Sequence, residues 1–113
     1  MAKTVAVVIR EDPRRTHRPV EALRIALGLV AGNHATTVVL LNEAARLLSE
    51  DTDDVVDVEI LEKYLPSIQQ LEVPFVLPEF IDRSGVRTDF AVRYESDDTI
   101  RRLLQSMDRT LVF

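Results

Sequence analysis

The sequence predicts an α/β fold in which a parallel β-sheet is covered by helices on both faces. Short apolar runs rich in β-branched residues recur along the chain, and stretches with apolar residues at helical spacing separate them. Strands that alternate with helices imply right-handed crossover connections, which place helices on the faces of a parallel sheet. The predicted order is β-α-β-α-α-β-(β)-α-β, in which the bracketed strand is an extended segment with one solvated face.

The first strand and the first long helix are predicted within the first third of the chain. Residues 5–9 form a continuous run of Val, Ala and Ile, which is typical of a strand buried on both faces. Residues 20–31 carry apolar side chains around nearly the whole circumference of a helix. Pro19 fits the first turn of that helix, and the Gly-Asn pair at residues 32–33 predicts a left-handed stop after it.

The middle of the chain predicts two more strands and two more helices. Residues 36–41 form a second buried strand, and a short helix is predicted over residues 43–48. A longer helix is predicted over residues 59–72, where Pro66 is expected to kink or divide it. Residues 73–77 then predict a third, short strand.

The last third of the chain predicts one helix between two extended segments. Residues 79–84 are expected to form a helical turn, and alternating apolar residues over 86–95 indicate an extended segment. Ser96, followed by two aspartates, predicts the start of a helix. Its apolar residues are spaced i, i+3, i+4 and i+7, at Ile100, Leu103, Leu104 and Met107. Residues 110–113 predict a last strand.

Length and composition indicate one globular domain over residues 1–113. Apolar residues make up 46% of the chain, which suffices for one core, and every apolar stretch ends before the roughly 18 residues of a membrane span. The first residues do not resemble a signal peptide, so we expect a soluble protein of the cytoplasm. The formal charge of −5 is opposite in sign to that of most nucleic-acid binders. Neither nucleic acid nor a membrane is therefore an expected partner.

Candidate ligand-binding residues follow from the general behaviour of open parallel sheets, in which ligands bind beyond the carboxyl ends of the strands. Here those ends are residues 10–12, 42–43 and 77–79, which we call the strand-end rim. His17 follows in the loop after the first strand and is placed to approach it. The candidate residues are Arg10, His17, Asn42, Glu43, Leu77, Pro78 and Glu79.

No catalytic residue, metal site or cofactor site is predicted. The three glycines form no phosphate-binding loop, and two histidines without cysteine do not make a structural zinc site. The acidic run at residues 50–57 lacks the glycine of a calcium-binding EF-hand loop. A phospho-acceptor receiver domain needs an aspartate after its third strand, where residues 77–78 are Leu-Pro. Ser49 and Ser84 have no neighbouring His/Asp arrangement that would support a nucleophilic serine.

The strongest physical signal is the excess of apolar surface on the first long helix. A helix that is apolar almost all round is either enclosed by its own chain or has one side against another subunit. We favour the second alternative, because extended apolar patches usually mark interfaces.

The chain resembles the DsrE/DsrF/DsrH family of small sulfur-relay proteins, most closely its DsrF (TusC-like) branch. The resemblance covers almost the whole chain and consists of element order and short apolar phrases. The phrases that carry it are residues 5–10 (VAVVIR), 21–29 (EALRIALGL), 38–44 (VVLLNEA), 64–66 (YLP), 73–77 (VPFVL) and 107–113 (MDRTLVF).

The resemblance implies a three-layer α/β fold with a mostly parallel sheet of about five strands. It also implies assembly into homo-oligomers, such as trimers or hexamers, or into hetero-oligomers of related subunits. Active members carry persulfide sulfur on a cysteine that corresponds to Leu77 or Pro78. This chain contains no cysteine and therefore lacks the sulfur-carrying residue.

Two functions remain open from the sequence. The first is a non-catalytic DsrE-like subunit that oligomerises and supports an intracellular sulfur-relay complex without carrying sulfur. The alternative is a domain that binds a small ligand, such as an anion, at the strand-end rim. An enzyme that works through His17 or a rim carboxylate ranks last, because no acid–base pair stands out.

Overall fold

The computed structural model describes residues 3–113, which contain five strands and three α-helices. The strands are β1 (Thr4–Ile9), β2 (Ala35–Leu40), β3 (Phe75–Pro78), β4 (Val92–Glu95) and β5 (Arg109–Val112). The α-helices are α1 (Arg18–Ala31), α2 (Val58–Gln70) and α3 (Asp97–Ser106), and a 3₁₀ helix covers Asn42–Leu48. All neighbouring strands pair in parallel, in the spatial order β4-β3-β2-β1-β5. The predicted α/β class and five-stranded sheet are therefore confirmed.

The two faces of the sheet carry cores of very different size. Side chains of α1 and α2 pack with alternate strand residues such as Val7, Val38 and Phe75 in the main core. On the opposite face, the second core contains Val8, Val39, Val76 and Ile100, the last of which belongs to α3. The ten-residue helix α3 is thus the helix that covers this face within the described chain, and its Leu103 and Leu104 remain half-buried.

Several predicted elements differ from the structure. The predicted short helix at residues 43–48 is a 3₁₀ helix, and residues 79–84 form turns instead of a helical turn. The helix α2 runs through Pro66 without a break, so the expected division of this helix is wrong. Pro66 has no amide hydrogen to donate to the Glu62 carbonyl one turn earlier. Both residues are exposed, so water can hydrogen-bond to that carbonyl instead. Of residues 32–33, it is Asn33 that adopts the left-handed conformation, with φ 68°.

The end of α2 places Glu72 in a backbone conformation that favours glycine. The φ of Glu72 is 53°, and its amide donates to the Gln69 carbonyl at 3.1 Å. The next amide, of Val73, donates to the Ile68 carbonyl at 3.2 Å. The side chains of Val73 and Ile68 are both buried. These bonds form a Schellman motif, whose left-handed residue is most often glycine.

Glu72→Gly is expected to raise the free energy of unfolding by about 0.5–1 kcal/mol, because glycine adopts a positive φ without a Cβ clash. Urea denaturation measures the change. The matched control is Glu62→Gly in the interior of the same helix, which should lower stability by about 1 kcal/mol. A destabilising Glu72→Gly would contradict this account of the helix end.

The start of α3 depends on a side-chain cap, as the sequence predicts. The Ser96 hydroxyl accepts a hydrogen bond from the Thr99 amide at 3.2 Å, and Asp97 and Asp98 follow in the first turn. Removing this cap in Ser96→Ala should cost about 1 kcal/mol of stability. Ser106→Ala is the control, because the Ser106 hydroxyl donates to the Leu103 carbonyl at the other end of the helix. Equal losses in the two variants would argue against a capping role for Ser96.

Candidate functional site

The carboxyl ends of the strands meet at one edge of the sheet, as the parallel pairing requires. The amide of Arg10, just after β1, donates to the Phe113 carbonyl at 2.8 Å. The amide of Glu79, just after β3, donates to the Glu95 carbonyl at the end of β4 at 2.9 Å. The strand-end rim is therefore a continuous surface, and the loops that follow β1, β2 and β3 form its walls.

Asp12 organises the loop after β1. Its carboxylate accepts hydrogen bonds from the Arg14 amide at 2.9 Å, from the Arg14 Nε at 3.0 Å and from the Arg14 Nη2 at 2.8 Å. The Asp12 carbonyl also accepts the Arg15 amide at 3.0 Å. Hydrogen bonding to Arg14 lowers the pKa of Asp12 from 3.8 to about 2. The carboxylate therefore stays ionised at neutral pH and holds the loop in a closed turn.

Arg14 links this loop to the 3₁₀ helix after β2. Its Nη2 lies 3.8 Å from the Glu43 Oε2, and the same oxygen accepts a hydrogen bond from the Arg46 Nε at 2.7 Å. Another contact joins the loop to the acidic segment, because the Val56 amide donates to the Pro13 carbonyl at 2.8 Å. The charged residues of this part of the rim are mainly paired with one another.

A groove with a volume of about 370 Å³ lies between the 3₁₀ helix and the loop that crosses from β3 to β4. We call it the crossover groove. The 3₁₀-helix wall consists of Asn42, Glu43, Ala45, Arg46 and Ser49, and the loop wall consists of Ile81, Asp82, Ser84, Gly85 and Val86. Both charge signs, hydroxyl groups and apolar side chains are present in this small space.

Backbone hydrogen bonds hold the two walls of the crossover groove together. The Glu50 amide donates to the Gly85 carbonyl at 3.0 Å, and the Arg87 amide donates to the Leu48 carbonyl at 2.8 Å. Ser49 and Val86 form an isolated antiparallel bridge between these two bonds. The spacing of the walls is therefore set by the backbone and does not depend on the arrangement of exposed side chains.

A second, more apolar cleft of about 330 Å³ adjoins the groove. Leu41, Asn42, Pro78, Phe80, Ile81 and Asp97 line it. Phe80 is 76% exposed, the largest exposed fraction among the large apolar side chains of residues 3–113. The cleft joins the ends of β2 and β3 to the first residue of α3.

The structure brings some of the predicted site residues together and separates others. Asn42 lies between the groove and the cleft with a left-handed φ of 55°, and Glu43 and Pro78 each line one of the two spaces. Leu77 is fully buried in the main core, so within the chain it offers no surface to a ligand. This burial follows from the alternation of strand side chains, which turns Leu77 inward with Phe75.

Three other predicted residues lie on the rim but outside the two spaces. Arg10 and His17 are exposed and belong to neither set of lining residues. His17 precedes α1, and its carbonyl accepts the Glu21 amide at 3.0 Å. The Glu79 carbonyl accepts a hydrogen bond from Arg83 Nη2 at 3.1 Å, which fixes the start of the crossing loop. A ligand-binding role for these residues stays a prediction.

Sequence reasoning missed the residues that give the crossover groove its chemistry. Arg46, Ser49, Asp82 and Ser84 come from two segments more than thirty positions apart, and no local motif marks them. Their one common signal is the backbone pairing of residues 48–50 with 85–87, which a local pattern does not predict. Residues 3–113 contain no group of three or more His, Cys, Asp or Glu side chains arranged to hold a metal ion. The same residues contain no helix long and apolar enough to cross a membrane.

Comparisons with known proteins place the fold but not a family. No protein-family model matches the sequence, and no curated protein matches it significantly. Among solved structures, the chain is similar to the YchN protein from E. coli, with a TM-score of 0.73. The match covers 98% of this chain and 99% of that chain at 15% sequence identity. The likeness at this low identity supports the α/β architecture along the whole chain.

Proposed function

We propose that this chain is a cysteine-free DsrE-like subunit that assembles with copies of itself or with related subunits in the cytoplasm. In this role it supports a sulfur-relay complex without carrying sulfur itself. The fold shared with YchN and the resemblance of the apolar phrases to the DsrF branch both support the proposal.

The observation that carries the proposal is the end of β3. The resemblance assigns the sulfur-carrying cysteine of active members to Leu77 or Pro78. Both side chains are buried hydrocarbon, and neither can form a persulfide. Because the chain contains no cysteine, any sulfur transfer at this edge requires a thiolate from a different subunit.

The distribution of apolar surface supports assembly. The edge strand β5 is exposed along its length, with Leu111 at 37% and Val112 at 48% exposure. Neither side chain belongs to the two cores, and the same holds for the half-buried Ile25 of α1. An unpaired apolar edge is a natural site for association with another chain. The predicted role of α1 as an interface helix remains part of this proposal.

Sedimentation velocity of the purified chain tests the assembly, and affinity capture from a native lysate with mass spectrometry tests for related subunits. We expect an oligomer, and a cysteine-bearing DsrE-like partner in the captured material. Val112→Asp should weaken the assembly, whereas Ile60→Asp on the exposed face of α2 is the control. A monomer at all concentrations would overturn the assembly, and a strict homo-oligomer recovered alone would overturn the mixed complex.

A further inference from the structure

The crossover groove carries opposite charges on its two walls. Arg46 lies on the 3₁₀-helix wall, and Asp82 lies on the loop wall. Glu43 shares the wall of Arg46 and is already engaged by the Arg46 Nε at 2.7 Å. The groove therefore carries one guanidinium and two carboxylates, and Asp82 is the carboxylate outside the Arg46–Glu43 ion pair. A ligand that contacts both Arg46 and Asp82 is best matched when it carries both charges.

Arg46 is suited to bind a carboxylate. Within the described residues, its Nε is the guanidinium nitrogen with a hydrogen bond, so both Nη groups keep their donors. A guanidinium offers these donors as a planar fork that matches the two oxygens of a carboxylate. Glu43 orients the guanidinium and leaves the outer edge of the fork for a ligand.

Asp82 is suited to bind an ammonium group. Its Oδ1 accepts the Ser84 amide at 3.0 Å, and hydrogen bonds from Ser84 lower the pKa of Asp82. The carboxylate is therefore ionised at neutral pH and held in a fixed orientation. The backbone bond uses Oδ1, so Oδ2 can accept a hydrogen bond from a ligand.

The remaining lining combines the polar side chains of Asn42, Ser49 and Ser84 with three apolar side chains. Ala45 and Val86 are buried, and Ile81 is half-buried against the main core. The backbone pairing at Ser49 and Val86 sets the distance between the walls before any ligand enters. The volume of about 370 Å³ lies at the small end of the range for ligand sites.

We propose that the crossover groove binds a free α-amino acid with an apolar side chain. The ligand carboxylate meets Arg46, the ammonium meets Asp82, and the side chain lies against Ile81 and Val86. The site is complete within one chain, so it does not depend on the proposed assembly.

Isothermal titration with L-leucine and two truncated analogues tests the proposal. The analogues are 4-methylpentanoate, which lacks the ammonium, and 3-methylbutylamine, which lacks the carboxylate. We expect L-leucine to bind with a Kd of about 1 mM or lower and each analogue at least roughly tenfold more weakly. Absence of L-leucine binding would overturn the proposal. Equal binding of the pentanoate would assign the groove to anions, and equal binding of the amine would assign it to cations; either result overturns the zwitterion.

Matched variants locate the binding. Arg46→Gln and Asp82→Asn should each weaken L-leucine binding by about tenfold or more. The controls are Arg101→Gln and Asp98→Asn, which remove the same two types of charge from an exposed ion pair on α3 and should leave binding unchanged. Circular dichroism confirms that each variant is folded. Binding that survives both groove substitutions would overturn the site, and sedimentation of the same samples reports on the assembly separately.

Discussion

Phe75→Ala is expected to lower the free energy of unfolding by about 3–5 kcal/mol. Phe75 lies in β3, between β2 and β4, and its side chain is fully buried in the main core. Its ring meets that of Phe90 edge to face, with the ring centroids 6.1 Å apart and the planes at 86°. Truncation removes this aromatic pair and leaves a cavity that the surrounding strands fill only partly.

The measurement is urea denaturation followed by circular dichroism, and the matched control is Phe80→Ala. Phe80 is five positions further along and 76% exposed, so its loss should change stability by no more than about 0.5 kcal/mol. A loss as large as that of Phe75→Ala in the control would contradict the assignment of the core.

A milder variant keeps the test informative if Phe75→Ala does not fold. A loss of about 3–5 kcal/mol is a large part of the 5–15 kcal/mol that stabilises a typical domain. Phe75→Leu retains most of the side-chain volume and should cost about 1.5 kcal/mol or less. If Phe75→Leu also fails to fold, the aromatic contact with Phe90 matters more for stability than cavity formation.

Features encoded by neighbouring residues were predictable from the sequence. The run at residues 5–9 is apolar without interruption, and the structure buries all of it between β2 and β5. Ser96 and the acids after it specify the start of α3 by a hydrogen bond of i,i+3 range. In both cases the local pattern and the final packing favour the same structure.

The candidate site was less predictable because its geometry depends on distant pairing. The sequence placed Leu77 and Pro78 together on the rim, but strand alternation sends Leu77 into the main core and leaves Pro78 on the cleft. Which of the two turns inward depends on the register of β3 with its neighbours. The crossover groove likewise requires the bridge between Ser49 and Val86, for which neither segment carries a signal alone.

Asp12→Asn is expected to show how strongly the first rim loop depends on one ionised carboxylate. The Asp12 side chain is only 14% exposed and is bound by the Arg14 guanidinium through two of its nitrogens. The pKa of Asp12 falls from 3.8 to about 2 in the folded chain, so folding stabilises the ionised form. One pKa unit is worth about 1.36 kcal/mol. Because Arg14 is partly exposed to solvent, Asp12→Asn should lower the free energy of unfolding by only about 1–2 kcal/mol at pH 7.

The sign of the pH dependence follows from the lowered pKa. The stabilisation is complete above the unfolded-state pKa of about 4 and is lost as the pH falls towards 2, where the folded-state carboxylate takes up its proton. Urea denaturation at a series of pH values should therefore show a difference in the free energy of unfolding between the wild type and Asp12→Asn. This difference should disappear as the pH falls from about 4 towards 2. Glu62→Gln, which removes an exposed carboxylate in the interior of α2, should show little change in stability at any pH. A gap between wild type and Asp12→Asn that stays constant to pH 2 would mean that the lost hydrogen-bond geometry, and not the charge, accounts for the loss. Because Arg14 also approaches Glu43, a loop loosened in this way should release its contact with the 3₁₀ helix as well.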